Sequence, residues 1–270
     1  MKLKRFLSLP VLSVFLLLGF IYYVTIFIFI EDLSGLRSSA GLVNSLIFSL
    51  LAFLCVFSFI ACVLTDPGEV PSGYTPDVEE NQSPDQEIKK NGTPARTCDK
   101  CSAHKPPRAH HCRVCGRCVL RMDHHCTWIN NCVGLRNYKS FLLLVFYATL
   151  ASTYSAIVIV SCTLQKDWGS FGNLRAKNIH VGCGLLSISL CLTLGSLFIW
   201  HVYLTSRNMT TIEGNRAGWL ARRSVLSYNH RYDVGAYKNF TLVLGPDTLK
   251  WLWPTANSHI KDGLGFPTSS

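Results

Sequence analysis

The chain has 270 residues, 49% of them hydrophobic and only 16% charged, and it carries a formal charge of +10. So apolar a composition excludes intrinsic disorder and an ordinary soluble domain. It points instead to a membrane protein whose basic residues are distributed by topology.

Four charge-free apolar stretches, residues 6–30, 38–65, 140–165 and 178–206, each exceed the roughly 20 residues a helix needs to cross the bilayer core. The first follows Lys2, Lys4 and Arg5 as a signal peptide would. Its apolar run is longer than the usual ~7–15 residues and no small-residue cleavage site closes it, so it reads as a retained helix. Lys and Arg number 3 before the first span, 11 between the second and third and 8 after the fourth, against 1 and 3 in the two short loops. By the positive-inside tendency both termini and the long loop are cytosolic. The sequons at Asn81, Asn91, Asn208 and Asn239 then fall on the side where glycosylation does not occur. The basic residues flank spans and form no stacking or helix-turn-helix pattern, so the bilayer and not nucleic acid is the expected partner.

The expected organisation is membrane helices 1 and 2 with a short lumenal loop over 1–65, a cytosolic linker over 66–96, a cysteine-rich domain over 97–139, membrane helices 3 and 4 over 140–206 and a cytosolic tail over 207–270. Asp66, Pro67 and Gly68 end the second span as a membrane-exit turn, since proline cannot extend a helix and glycine permits the turn. Residues 69–94 are acidic and proline-bearing, the composition of a solvated linker.

From residue 97 to 133 seven of the twelve cysteines gather: Cys98, Cys101, Cys112, Cys115, Cys118, Cys126 and Cys132. In a cytosolic segment such density favours zinc over disulfides. The C-x-x-C pairs Cys98/Cys101 and Cys112/Cys115, the latter followed by Cys118, have zinc-knuckle spacing. Two closed sites need eight ligands, and the seven thiols with His104, His110, His111, His124 and His125 offer twelve candidates. With two Cys₃His sites one cysteine is left over. Cys126 and Cys132 both lack a cysteine partner three residues away, and chemistry separates them. A nucleophilic thiol needs a base and a group that orients the base. Asp123, His124 and Cys126 supply the three within four residues, with His124 titrating near neutrality. Arg108, Arg113, Arg117 and Arg121 are expected to balance the charge of the thiolates.

The segment resembles the DHHC cysteine-rich domain of the protein S-acyltransferases, with a plant member expected. The resemblance rests on Cys98/Cys101, the run Lys105-Pro106-Pro107-Arg108-Ala109-His110-His111-Cys112, Cys115, Cys118, Asp123-His124-His125-Cys126, Cys132 and Asn137 before Phe141. Asp66-Pro67-Gly68 and Thr210-Thr211-Ile212-Glu213 match two further family elements, and residues 232–245 a third, with Leu244 where phenylalanine is commoner.

The resemblance implies a polytopic, all-α membrane protein of four transmembrane helices, with a cytosolic zinc-bound domain between helices 2 and 3. It implies one structural zinc on Cys98, Cys101, His111 and Cys118 and another on Cys112, Cys115, His125 and Cys132. It implies an acyl-enzyme on Cys126, with His124 as base, Asp123 orienting it and Thr211 holding Asp123. Palmitoyl-CoA or a related acyl-CoA is the implied donor, cysteines of membrane-associated proteins the acceptors, and the endomembrane system, chiefly the Golgi, the expected location. Asn239 is expected to cap the C-terminal element, Trp128 to sit at the interface, and Ala151 to lie near mid-bilayer beside the acyl chain. The competing reading is a zinc-stabilised membrane adaptor without catalysis. A channel is disfavoured because the four stretches carry no Asp, Glu, Lys or Arg.

Overall fold

The computed structural model describes residues 5–76, 96–166, 174–223 and 230–269. Among these, four helical spans are long and apolar enough to cross a membrane. The first combines α1 (Leu9–Tyr23), a π-helical segment (Val24–Ile30) and α2 (Glu31–Ser34). The others are α3 (Ser39–Leu64), α4 (Tyr138–Gln165) and α5 (Leu174–Ser206). Pro10 begins α1 where a missing N–H costs nothing, and the Ser38 hydroxyl accepts the Gly41 N–H at 2.9 Å to cap α3. The first, third and fourth spans overrun their apolar stretches at one end by a few residues, so the expected loop over 31–37 is partly helical, while α3 stays within its own. The backbone hydrogen bonds of a helix are satisfied internally, which lets it continue past the apolar limit.

Between α3 and α4 the described residues hold no α-helix, only one 3-10 turn over Thr127–Ile129. They form three antiparallel hairpins: β1 (Arg96–Cys98) with β2 (Ala103–Lys105), β3 (His110–Cys112) with β4 (Arg117–Val119), and β5 (His124–Cys126) with β6 (Asn131–Val133). The all-α expectation therefore holds for the membrane body, and the cysteine-rich domain adds these short hairpins. After α5 come α6 (Thr211–Arg223), α7 (Ala236–Leu244) and an irregular tail.

Three joints fix the domain to the membrane helices. Asn131, fully buried, donates to the carbonyls of Cys62 at 3.1 Å and Thr65 at 2.9 Å, satisfying orphan acceptors at the end of α3. Asp66 folds its exit turn by accepting the Gly68 N–H at 2.9 Å, and its other oxygen takes Arg117 at 2.7 Å. The start of the acidic linker is docked rather than free, because Glu69 bridges to Val119 and accepts from Arg117 at 3.1 Å. Residues 77–95 of the linker, with the sequons at Asn81 and Asn91, lie outside the described residues.

At the other end of the domain the tail closes over α4. Lys139, fully buried, donates to the carbonyls of Leu244, Lys250 and Ala256 at 2.8, 2.8 and 3.1 Å. Ser140 donates to Pro254 at 2.8 Å and Tyr147 to Leu252 at 2.7 Å. Asn239 caps the C-terminal end of α5. Its amide donates to Ser206 at 2.8 Å and to Asp233 at 2.7 Å, and its oxygen accepts the Val234 N–H at 3.1 Å, which ties the tail to the end of α5.

Within the membrane body an apolar cluster around Phe29, Phe48 and Ile159 joins all four spans, with Ala151 half-buried against it. The π-helical segment sits here, where Thr25 and Ser155 share a hydrogen bond of 2.7 Å.

Candidate functional site

The hairpins place the ligand candidates by register. In the second, His111 faces Cys118 directly across the strands; in the third, His125 faces Cys132. Two-strand pairing thus carries one histidine and one cysteine of each set to the same place, and the C-x-x-C turns supply the rest. Cys98, Cys101, His111 and Cys118 offer ligand atoms within 4.8 Å of one another, as do Cys112, Cys115, His125 and Cys132.

These sets fit zinc. The His111 Nδ1 lies 3.6, 3.2 and 3.9 Å from the sulfurs of Cys98, Cys101 and Cys118. The His125 Nδ1 lies 3.6, 3.5 and 3.6 Å from those of Cys112, Cys115 and Cys132. A tetrahedron with Zn–S of about 2.3 Å and Zn–N of about 2.0 Å has edges near 3.5–3.8 Å. The chemistry of the donors agrees. Cys118 is pushed up to about 12 by burial and then by the Cys98 and Cys101 thiols, a crowding that a cation relieves. The sets interleave, since His111 and Cys112 are chain neighbours in different sites.

Three of the arginines expected to balance the thiolates make ion pairs or hydrogen bonds away from the thiols, and Arg117 also feels the charge of the nearby Cys115. Arg108 forms a two-pronged pair with Glu213 at 2.8 and 2.7 Å and lies over the rings of Tyr232 and Phe266 at 4.6 and 4.9 Å. Arg121, also buried, donates to Asn208 at 3.3 Å and covers the Tyr138 ring. Arg117 holds Asp66 and Glu69. Sequence reading missed the Arg108–Glu213 clamp. Its only signal was an acid in the Thr-Thr-Ile-Glu element, more than a hundred residues away.

Beside the second ligand set, Asp123 is fully buried and ties two distant segments together. Its carboxylate accepts the His124 Nδ1–H at 2.7 Å, the Thr211 hydroxyl at 2.7 Å and the Thr211 N–H at 2.9 Å. Burial alone would raise this carboxyl, but the hydrogen bond and charge of His124, with His201 and Thr211, outweigh it and hold Asp123 below the usual carboxylate range. For His124, burial disfavours the cation. The hydrogen bonds and charges of Asp123 and Cys126 prevail, raising it to about 9. The ring stands edge-on to Phe141 at 5.1 Å, which fixes its plane.

Cys126 ends β5, opposite Asn131, and packs against an apolar cluster that includes Phe59, Cys62, Phe141 and Leu142. The thiol therefore stands where the zinc-binding hairpins meet the membrane helices. Trp128, two residues on, is 64% exposed in the turn that follows. Thus Asp123, His124, Cys126 and Thr211, from two distant stretches of sequence, meet in one place.

Comparison with known proteins agrees with this geometry. The family model described as DHHC palmitoyltransferase matches residues 91–217, a span that holds both ligand sets, Cys126 and Thr211. Probable protein S-acyltransferase 15 of Arabidopsis thaliana is 55% identical over 255 residues, covering 93% of this chain and 99% of that protein. Probable protein S-acyltransferase 16 of the same plant is 49% identical over 271 residues, covering 97% and 93%. Palmitoyltransferase ZDHHC2 of Homo sapiens is 35% identical over 173 residues, covering 64% of this chain and 46% of that protein. With its likeness to the plant proteins running almost end to end, the chain belongs to the DHHC palmitoyltransferase family as a multi-pass membrane enzyme that acylates proteins.

Proposed function

We propose that the enzyme works through an acyl-enzyme on Cys126, with palmitoyl-CoA or a related acyl-CoA as donor and cysteines of membrane-associated proteins as acceptors. The observation that carries this reading is the chain of contacts from Thr211 through Asp123 to His124, ending beside a thiol that borders the membrane helices. With Nδ1 committed to Asp123, the Nε2 of His124 is the nitrogen left to exchange a proton with Cys126.

In the first half-reaction His124 takes the Cys126 proton, the sulfur attacks the thioester carbonyl, and the carbonyl–sulfur bond to coenzyme A breaks. His124 returns the proton to the departing thiol. In the second, a substrate cysteine gives its proton to His124, its sulfur attacks the thioester carbonyl, the carbonyl–sulfur bond to Cys126 breaks, and His124 returns the proton to Cys126. Asp123 keeps the imidazole in one tautomer and stabilises its charged form, and Thr211 keeps Asp123 from turning away. The apolar cluster behind Cys126 suits the acyl chain, whose far end would lie among the membrane helices.

The eight ligands would hold two zinc ions, whose chemistry here is structural: they cross-link a domain whose short hairpins enclose only a small core. The distribution of Lys and Arg supports placing this domain, the linker and both termini in the cytosol. We assign the enzyme to the endomembrane system, chiefly the Golgi, on family resemblance. The test is a pulse with labelled palmitoyl-CoA followed by a chase with a cysteine-bearing membrane-anchored peptide. Label should appear first on the enzyme, as a hydroxylamine-sensitive thioester, and then move to the peptide. Peptide labelling with no labelled enzyme at any time would reject the acyl-enzyme.

A further inference from the structure

Four residues, 207–210, separate membrane helix α5 from α6. The inner side of α6, formed by Glu213, Gly214, Ala217 and Leu220, is half-buried. A Cβ placed on Gly214 would come within 2.8 Å of Leu204 and 3.6 Å of Trp200, so α6 lies against the last two turns of α5. Trp200 and Tyr203 point outward at that level, 37% and 48% exposed, as aromatic residues do at a membrane interface. These contacts set α6 at headgroup depth, on the side of the membrane that carries the cysteine-rich domain.

Its outer face is basic. Arg216, Trp219, Arg222 and Arg223 are exposed, and the three- and four-residue spacings put Arg216, Trp219 and Arg223 on one stripe. The Arg223 guanidinium covers the Trp219 ring at 4.3 Å. The single acid of the helix, Glu213, is on the inner side and engaged by Arg108. Three arginines around a tryptophan, with no carboxylate among them, suit an anionic lipid surface, where arginine forks take phosphate oxygens and the indole enters the headgroup layer.

We propose that the exposed face of α6 binds anionic phospholipid headgroups of the adjoining leaflet. The site bears on catalysis because α6 begins at Thr211, which holds Asp123. A lipid grip on the far half of a helix about 20 Å long steadies that contact. This consequence rests on the roles given to Thr211 and Asp123 above.

The test uses the full chain in vesicles of phosphatidylcholine, with or without phosphatidylserine. Quenching of Trp219 by brominated lipid is obtained by difference from Trp219→Phe. Brominated phosphatidylserine should quench Trp219 more than brominated phosphatidylcholine, and the contrast should fall several-fold in R216Q/R222Q/R223Q and in high salt. Autoacylation of the native enzyme should rise several-fold with phosphatidylserine, while the triple variant keeps the phosphatidylcholine rate in both. Equal quenching by the two lipids, or an undiminished contrast in the variant, overturns the lipid site. So does a variant that loses acylation of an acidic soluble protein but keeps the contrast, since the face then serves a protein. Quenching does not depend on turnover, so it reads the lipid site even if Cys126 chemistry fails. A quenching contrast without a rate response overturns the link to Thr211.

Discussion

At Asp123 two effects compete, and the hydrogen bonds win. Removal from water favours the neutral acid, yet three donors keep it ionised, and its charge helps raise His124 to about 9. Part of that rise comes from a charged Cys126, which exists only once the thiol has given up its proton, so the base that awaits the proton titrates below about 9. Autoacylation at fixed donor should rise with pH and level off before 9. Asp123→Asn removes the charge that favours the cation, so the rising limb should move to lower pH while the plateau falls by about 10²-fold or more. A limb that stays in place in Asp123→Asn would show that another group titrates. The adjacent imidazoles should separate by metal content: His124→Ala abolishes autoacylation with both zinc ions retained, whereas His125→Ala also loses zinc. Identical zinc loss in the two would reverse the assignment. The Asp123, His124 and Cys126 candidates were legible in the sequence because they are near neighbours in it. The partners of Arg108 and Arg121 were not, because they come from the start of α4, the segment after α5 and the tail.

Strands of three residues are too short to show a period-two pattern, so the three hairpins could not be read from the chain. Spacing set by metal ligands shapes them instead, and that spacing was legible as C-x-x-C. The four membrane helices were legible because length and apolarity alone specify them. Asn131 illustrates what lies between these cases. Nothing in its neighbourhood marks it, yet it sits opposite Cys126 and caps α3. Asn131→Ala would leave buried carbonyls unsatisfied at a cost of about 1–3 kcal/mol. It should lower the thermal midpoint and slow autoacylation while both zinc ions stay bound. Wild-type stability and rate in this variant would show that the joint does not position the thiol. Because the two ligand sets interleave, Cys132→Ser should lose folded protein along with metal, each structural site being worth on the order of 10 kcal/mol.

For the whole molecule, the cysteine-rich domain is held between α3, α4, α6 and the tail, so the Cys126 thiol has a fixed place relative to the four spans. The buried Lys139 clasp on three tail carbonyls was hidden in the sequence, where Lys139 reads as a flanking charge of the third span. Topology gives a separate check: the sequons at Asn208 and Asn239 should stay unmodified, whereas one introduced between residues 167 and 173 should be glycosylated. The reverse pattern would invert the proposed orientation. The destination of the acyl group decides between an acyl-enzyme on Cys126 and any other route. Purified enzyme incubated with labelled palmitoyl-CoA should carry a hydroxylamine-sensitive label that maps to Cys126, and Cys126→Ser should lose it while keeping both zinc ions and its thermal midpoint. Equal labelling of Cys126→Ser would contradict the account.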